Sequence, residues 1–351
     1  LQLLLTTLVS IQILKNLMTK ESPLISVCIP VYGTEPVLER CLLSVADQNF
    51  KRFEVIIVSD ASPGKDEKGR DAEKIAKSVL KKRKIPYIFY QHNVNLGIIE
   101  TRRDAVCRAT GEYIFTMDSD DFLGDPRALS KLYETALETQ AEIINSRGRA
   151  WSSTPNSSQK IIDTYQNKLD KIVLGKMEGR NIFRNFLVEG GHLGFIWAKL
   201  IKRSLFEKAF DAIPCTFCTM AEDTLLYFFL SFFATSYFGV EEKYYCYSVD
   251  EGVSSSTVIT TLDRWHKVCS ASSVFNVLFD FVQNNENLFS VDERNTVRFI
   301  GTRFLANNLF QLKDAVAPQL QPQAYELLCE MWGEDYVRAV EELSAQESKG
   351  L

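Results

Sequence analysis

Ile25-Ser-Val-Cys-Ile-Pro-Val-Tyr-Gly-Thr34 reads as a short apolar run closed by a proline and a turn at Gly33. A run of that length bounded by a turn is the pattern of a buried strand. Thr34 is placed to cap a following helix, on which Val37, Leu38, Cys41, Leu42 and Val45 share one face. The same unit repeats outward from there. Residues 53–58 form a second strand, closed by Ser59-Asp-Ala-Ser-Pro-Gly64, and Ala72, Ile75, Ala76, Val79 and Leu80 stripe the next helix. A strand at 87–90, a helix at 98–109 and a strand at 113–117 continue the alternation. Leu129, Leu132, Tyr133 and Ala136 then mark a helix before a strand at 142–145. Such alternation predicts an α/β fold, a mostly parallel sheet with helices on both faces. Ligands of these sheets bind beyond the carboxyl ends of the strands. Tyr32, Asp60, Asn95 and the run Asp118-Ser-Asp-Asp121 stand at those ends.

Beyond residue 150 the pattern changes. Residues 150–160 are rich in Ser, Thr, Pro and Asn, the composition of a loop or boundary. Strand-like stretches follow at 236–240 and 244–249, and from 261 the chain is helical almost throughout, an appendage expected to cap the core. Dimerisation and membrane contact are the alternatives for that tail. The reading divides the chain at 1–22, 23–150, 151–256 and 257–351. Residues 1–18 read as an amphipathic helix packed on the protein, on a partner or on a membrane surface. They are too short and polar for a span and lack a signal-peptide layout. The run Lys81-Lys-Arg-Lys84 is a solvated helix end.

The 351 residues are 46% hydrophobic and 24% charged, with a net charge of −5, which excludes a disordered chain and a polytopic membrane protein and gives no electrostatic reason to bind nucleic acid. Eight scattered cysteines read as free thiols of a reducing compartment. Cys215-Thr-Phe-Cys218 lacks the second ligand pair a zinc site needs, and His92, His192 and His266 do not supply it.

Chemistry concentrates in Phe115-Thr-Met-Asp-Ser-Asp-Asp-Phe122. Three carboxylates in four residues repel unless something positive lies between them, and hard oxygen ligands suit Mg²⁺ or Mn²⁺. The same cluster would otherwise be a solvated turn. Glu222-Asp223 opens an apolar helix, where acidic residues favour the helix dipole and a carboxylate facing a cleft can act as a general base. No phosphate-binding loop, dinucleotide fingerprint or nucleophile elbow is present.

Taken in order, residues 25–32, Glu54-Val-Ile-Ile-Val-Ser-Asp-Ala-Ser62, Asn95-Leu-Gly97 with Arg102, and residues 110–121 resemble family 2 glycosyltransferases. Residues 197–205, Glu222-Asp223 and residues 244–250 are similar to that family's second half, so the resemblance covers roughly 23–256. It implies the GT-A fold, a Rossmann-like sheet, with residues 23–150 as the nucleotide-sugar half and 151–256 as the acceptor half. It further implies an inverting hexosyl- or N-acetylhexosaminyltransferase of the cytoplasm or the inner membrane face. The donor is expected to be a UDP-sugar, and the acceptor a glycan or lipid-linked hydroxyl of the cell envelope.

By the same resemblance, Pro30 and Tyr32 line the base pocket, Asp60 accepts from the uracil ring, and Arg102 reaches the nucleotide. Asp118 and Asp120 match a D-x-D motif: the first lies near ribose and the second ligates Mn²⁺ or Mg²⁺, with Asp118 at the same metal. Asp223 matches the catalytic base. Four departures stand out: Ser59 for Asp, Ala61 for Gly, Arg103-Asp104 for a small polar step, and Ser248 where a basic residue often helps bind diphosphate. Lys199, Lys202 and Arg203 are candidates for that missing charge, and otherwise surface positions. A non-catalytic nucleotide- or glycan-binding member of the fold is the alternative function. A phosphatase reading of Asp118-Ser-Asp120 fails because that motif normally ends the first strand.

Overall fold

The computed structural model describes residues 22–249 and 258–349. The proposed amino-terminal helix lies outside the described residues. The first half builds β1 (Ile25–Val31), α1 (Glu35–Ala46), β2 (Phe53–Ser59), α2 (Ala72–Ala76, prolonged by a wide turn to Lys81), β3 (Tyr87–Gln91), α3 (Ile98–Arg108) and β4 (Tyr113–Thr116). β1 lies between β2 and β4, with Ile25 opposite both Phe53 and Tyr113, and every residue of β1 and β2 is buried. Their uninterrupted Val and Ile runs reflect burial on both faces, as in parallel sheets wrapped by helices.

A short β5 (Phe122–Leu123) and α4 (Ala128–Thr139) lead to β6 (Ile143–Trp151), α5 (Pro155–Leu169), β7 (Gly175–Glu178) and α6 (Arg180–Arg184). Then come β8 (Lys199–Lys202), α7 (Arg203–Ala212), α8 (Glu222–Phe233) and β9 (Ser236–Ser248). The strand order is β3-β2-β1-β4-β8-β6-β9-β5, with β7 on β9. The first four strands are parallel, as expected, whereas β8 runs antiparallel to both β4 and β6, so the sheet is mixed. The two strand-like stretches after residue 235 are one strand. Its pairing with β6 shifts register around Arg147, which bends it between the two segments.

Five helices complete the described chain: α9 (Leu262–Cys269), α10 (Ala271–Asn284), α11 (Val291–Asp314), α12 (Gln321–Trp332) and α13 (Glu334–Lys349). Among them α10 packs on α8, whose residues from Leu225 to Ser231 are all buried. A helix apolar all round needs cover on every side. α7 supplies it on one side and α10 on another. Phe229 meets Phe281 at 4.7 Å between ring centres, and Phe228 meets Phe289 at 6.1 Å. The Trp265 indole donates to the Ala324 carbonyl at 2.8 Å, tying α9 to α12. No helix among the described residues is long and apolar enough to cross a membrane.

Candidate active site

The parallel strands deliver their carboxyl ends to one edge, and the turns there are joined to one another. The Gly33 N–H donates to Ser62 Oγ at 2.8 Å, linking the turns after β1 and β2. Thr34 makes no side-chain cap on α1. Its hydroxyl lies 2.6 Å from that of Ser119, joining the first turn to the acidic one. Pro30 is buried in β1, and the Tyr32 side chain beyond it is 40% exposed.

Asp60 is buried and accepts three hydrogen bonds: from the N–H groups of Leu96 and Gly97, at 2.8 and 2.9 Å, and at His92 Nδ1, 2.7 Å away. His92 Nε2 meets Asp104 at 2.8 Å, and Arg108 donates to Asp104 at 2.8 Å. Burial acts to raise the Asp104 carboxyl, yet the hydrogen bonds from Arg108 and His92 hold it below the usual range. Asp60 thus fixes the Asn95-Leu-Gly97 turn. Gly97 has φ of +86°, and a Cβ there would meet the Cys218 carbonyl at 3.0 Å. Only glycine satisfies both demands.

Arg102, one turn into α3, is 2% exposed and forms the centre of the site. One end of its guanidinium donates to Asp118 at 2.9 Å, and the other to Asp223 at 3.2 Å, with Glu222 at 3.6 Å. Carboxylates from the end of β4 and the start of α8 therefore face one cation. Burial, then the charge of Glu222, raises the Asp223 carboxyl above its usual range, with Arg102 opposing. Asp223 is carried by a turn at Ala221, whose φ of +63° is costly for a residue with a Cβ.

The acidic run is divided by its surroundings. Asp121 turns away, is buried, and accepts from Tyr245 Oη and the Ser248 N–H, both at 2.7 Å. Burial and the charges of Asp118 and Asp120 push its carboxyl well up. Tyr245 Oη also accepts from the Asp118 N–H at 3.0 Å, so β9 holds the acidic turn from behind. The sequence expectation of a cation between like charges has a partial answer in the protein itself, since Arg102 is the cation at Asp118.

The sequence profile of glycosyl transferase family 2 matches residues 26–220. The chain belongs to glycosyl transferase family 2. It is 29% identical over 231 residues to a putative glycosyltransferase EpsH of Bacillus subtilis, covering 65% of this chain and 62% of that protein. A poly(ribitol-phosphate) beta-glucosyltransferase of Bacillus spizizenii is 29% identical over 181 residues, 49% of this chain and 26% of its own. The chain thus spans only part of the curated relatives it matches. Among solved structures, S. aureus TarS 1-349 in complex with UDP-GlcNAc superposes with a TM-score of 0.53 at 19% identity, over 92% of both chains. That likeness shows the shared GT-A fold.

Three of the four departures from the family pattern have physical accounts. Ala61 adopts φ of +54°, the conformation a glycine takes without strain. Arg103 fastens α3 to the end of α7 by donating to the carbonyls of Phe210 and Ile213, the latter at 2.9 Å. Asp104 belongs to the His92 network. Lys199 is buried rather than at the surface, donates to the carbonyls of Leu193 and Phe195, and is lowered to about 7 by burial, with Asp223 opposing. Lys202 pairs opposite Tyr113 and Arg203 donates to the Gly111 carbonyl, both at the opposite end of β4 from Asp118. The basic group beside Ser248 is instead Arg40 of α1, which donates to Ser248 Oγ at 3.0 Å. No local spacing in the sequence connects Arg40 and His92 to these partners, 208 and 32 residues away.

Among the described residues no three His, Cys, Asp or Glu side chains gather into a metal cage. Asp118 and Asp120 offer hard carboxylate oxygens just past β4. Magnesium-type ions are commonly held by one or two carboxylates, with substrate phosphates completing the shell. The donor set fits a cation shared with a diphosphate. All eight cysteines are free, Cys215 exposed and Cys218 buried.

Proposed function

We propose that the chain transfers a sugar from a UDP-sugar to a hydroxyl of a cell-envelope glycan, with inversion at the anomeric carbon. The observation that carries this reading is the Arg102 guanidinium shared by Asp118 and Asp223. It sets the carboxylate on the donor side and the carboxylate that takes the acceptor proton on opposite arms of one planar group. UDP-GlcNAc bound to TarS, and the glucosyltransferase activity in the name of the ribitol-phosphate relative, support a UDP-hexose or UDP-N-acetylhexosamine donor and an envelope acceptor.

In this reading Tyr32 borders the base, and Asp60 shapes the pocket through the 95–97 turn while facing the uracil ring. Asp118 lies by the ribose. Asp223 accepts the acceptor proton as the hydroxyl oxygen bonds to the anomeric carbon. The bond from that carbon to the phosphate oxygen breaks with its electron pair leaving on UDP. Attack opposite the leaving group inverts the centre, and no covalent enzyme intermediate is needed. Asp118 and Asp120 would hold a divalent cation, which when bound neutralises charge growing on the leaving diphosphate. Arg102 keeps the acidic edge from repelling the donor.

Calorimetric titration of UDP tests the donor site. The reading expects saturable binding in Mn²⁺ that weakens in EDTA and persists in Asp223→Asn, since that residue serves the acceptor. Absence of UDP binding in both conditions would refute it.

A further inference from the structure

We infer that Arg40 is a positioning residue for the diphosphate end of the donor, taking from α1 the place of the basic residue that the loop after Tyr247 lacks. This rests on the reading above that Asp120 serves that end. The Arg40 guanidinium donates to the Asp120 carbonyl at 2.5 Å and to Ser248 Oγ at 3.0 Å. Ser248 Oγ in turn donates to the same Asp120 carbonyl at 2.8 Å, closing a three-membered cluster. The guanidinium lies against two rings, 4.9 Å from the centre of Phe122 and 4.5 Å from that of Trp151. Those rings meet edge to face at 5.2 Å, forming a corner that fixes the plane of the guanidinium. Four elements thus converge on one side chain: α1, the acidic turn with β5, the end of β6 and the end of β9.

A charge bonded to the carbonyl of Asp120 fixes the peptide that carries the Asp120 carboxylate. It also anchors the last residue of β9, the strand that buries Asp121. Arginine suits this place because a planar fork can make two hydrogen bonds while its faces stack on aromatic rings, which lysine cannot do. Its Coulomb field adds a positive contribution at the turn where a diphosphate would lie. The residue acts through Asp120 and Ser248 rather than by touching the reacting atoms.

The test separates the two ends of the nucleotide. Equilibrium dialysis of labelled UDP and of uridine, in Mn²⁺, is run on the full chain, Arg40→Gln, Arg40→Lys and Asp120→Asn. Arg40→Gln is expected to weaken UDP by about tenfold, the scale of one charge-assisted hydrogen bond, while uridine binding stays unchanged. Arg40→Lys recovers part of the loss. A general loosening of the fold would weaken both ligands alike, and that result overturns the inference, as does wild-type UDP affinity in Arg40→Gln. Asp120→Asn separates this from the underlying reading. If it leaves UDP untouched, Asp120 does not serve the diphosphate and the parent reading fails. If it weakens UDP and Arg40→Gln does not, only the inference fails. Should Arg40→Gln not fold, Ser248→Ala carries the test. It removes one hydrogen bond to the same carbonyl and is expected to weaken UDP about threefold with uridine unchanged, whereas unchanged UDP binding overturns the inference.

Discussion

Ala61 and Asp223 each hold a single-residue cost that bears on function. At φ of +54°, Ala61 occupies the left-handed region, and Ala61→Gly is expected to raise stability by about 0.5–1 kcal/mol, the strain relieved less the extra chain entropy of glycine. Thermal denaturation checks the sign. Asp223 is raised, so its ionised form is disfavoured in the fold. Between its unfolded and folded pKa the native state holds the extra proton, and stability falls as pH rises through that window. Asp223→Asn lacks this contribution. Its stability is expected to be flatter over the window and no lower than wild type at neutral pH, while transfer is lost. The base must be ionised to act, so the rising limb of the pH–rate profile should lie above that of an ordinary aspartate. Arg102→Met leaves the acidic edge without its cation. An expected loss of about 2–3 kcal/mol lies below the figure for a fully buried pair, because Asp118 and Asp223 keep some water contact. Asp118, Asp120 and Asp223 were legible in the sequence because each follows or opens a strongly patterned element. The shared guanidinium between two of them was not, because Arg102 and Asp223 meet across 121 residues.

Among the elements, β1, β2 and β4 were readable because burial on both faces leaves unbroken apolar runs. The later strands were harder. β6 continues to Trp151 through Ser, Arg and Gly, and β9 carries Glu241, Glu242 and Lys243 at its bend. Their polar residues hide a pairing set by neighbours distant in sequence. Thr34 shows a similar limit: the right residue type stands before α1, yet its hydroxyl engages Ser119 rather than the helix. The turn before α3 offers an element-level prediction. Gly97→Ala strains a left-handed residue and presses a Cβ toward the Cys218 backbone, in the segment leading to Asp223. It is expected to cost about 1–2 kcal/mol and to lower both UDP affinity and turnover, a joint effect that calorimetry and initial rates would register. Loss of neither would show that the turn tolerates a side chain.

For the whole molecule, the helical region packs through α10 on α8, the helix whose first turn carries Asp223. α8 presents Asp223 at one end and buries its phenylalanines under α10 and Phe289 at the other, so removing the cover exposes a helix with no polar face. The full chain is therefore expected to unfold in one calorimetric transition. Two separated transitions would mean that the helices from α9 onward fold independently of the sheet. Composition gave no electrostatic reason to expect nucleic acid at this scale, but periodicity alone left the role of those helices open, because an amphipathic stripe does not name what covers it. Sugar transfer with inversion, served by Asp223, has a stereochemical signature. The most direct measurement follows the anomeric proton by NMR during slow hydrolysis of UDP-GlcNAc and UDP-glucose, with water as acceptor. The α-linked donor is expected to release the β-anomer first, together with UDP, and Asp223→Asn to suppress the reaction while still binding UDP. Release of the α-anomer first, or undiminished hydrolysis by Asp223→Asn, would contradict inversion served by Asp223.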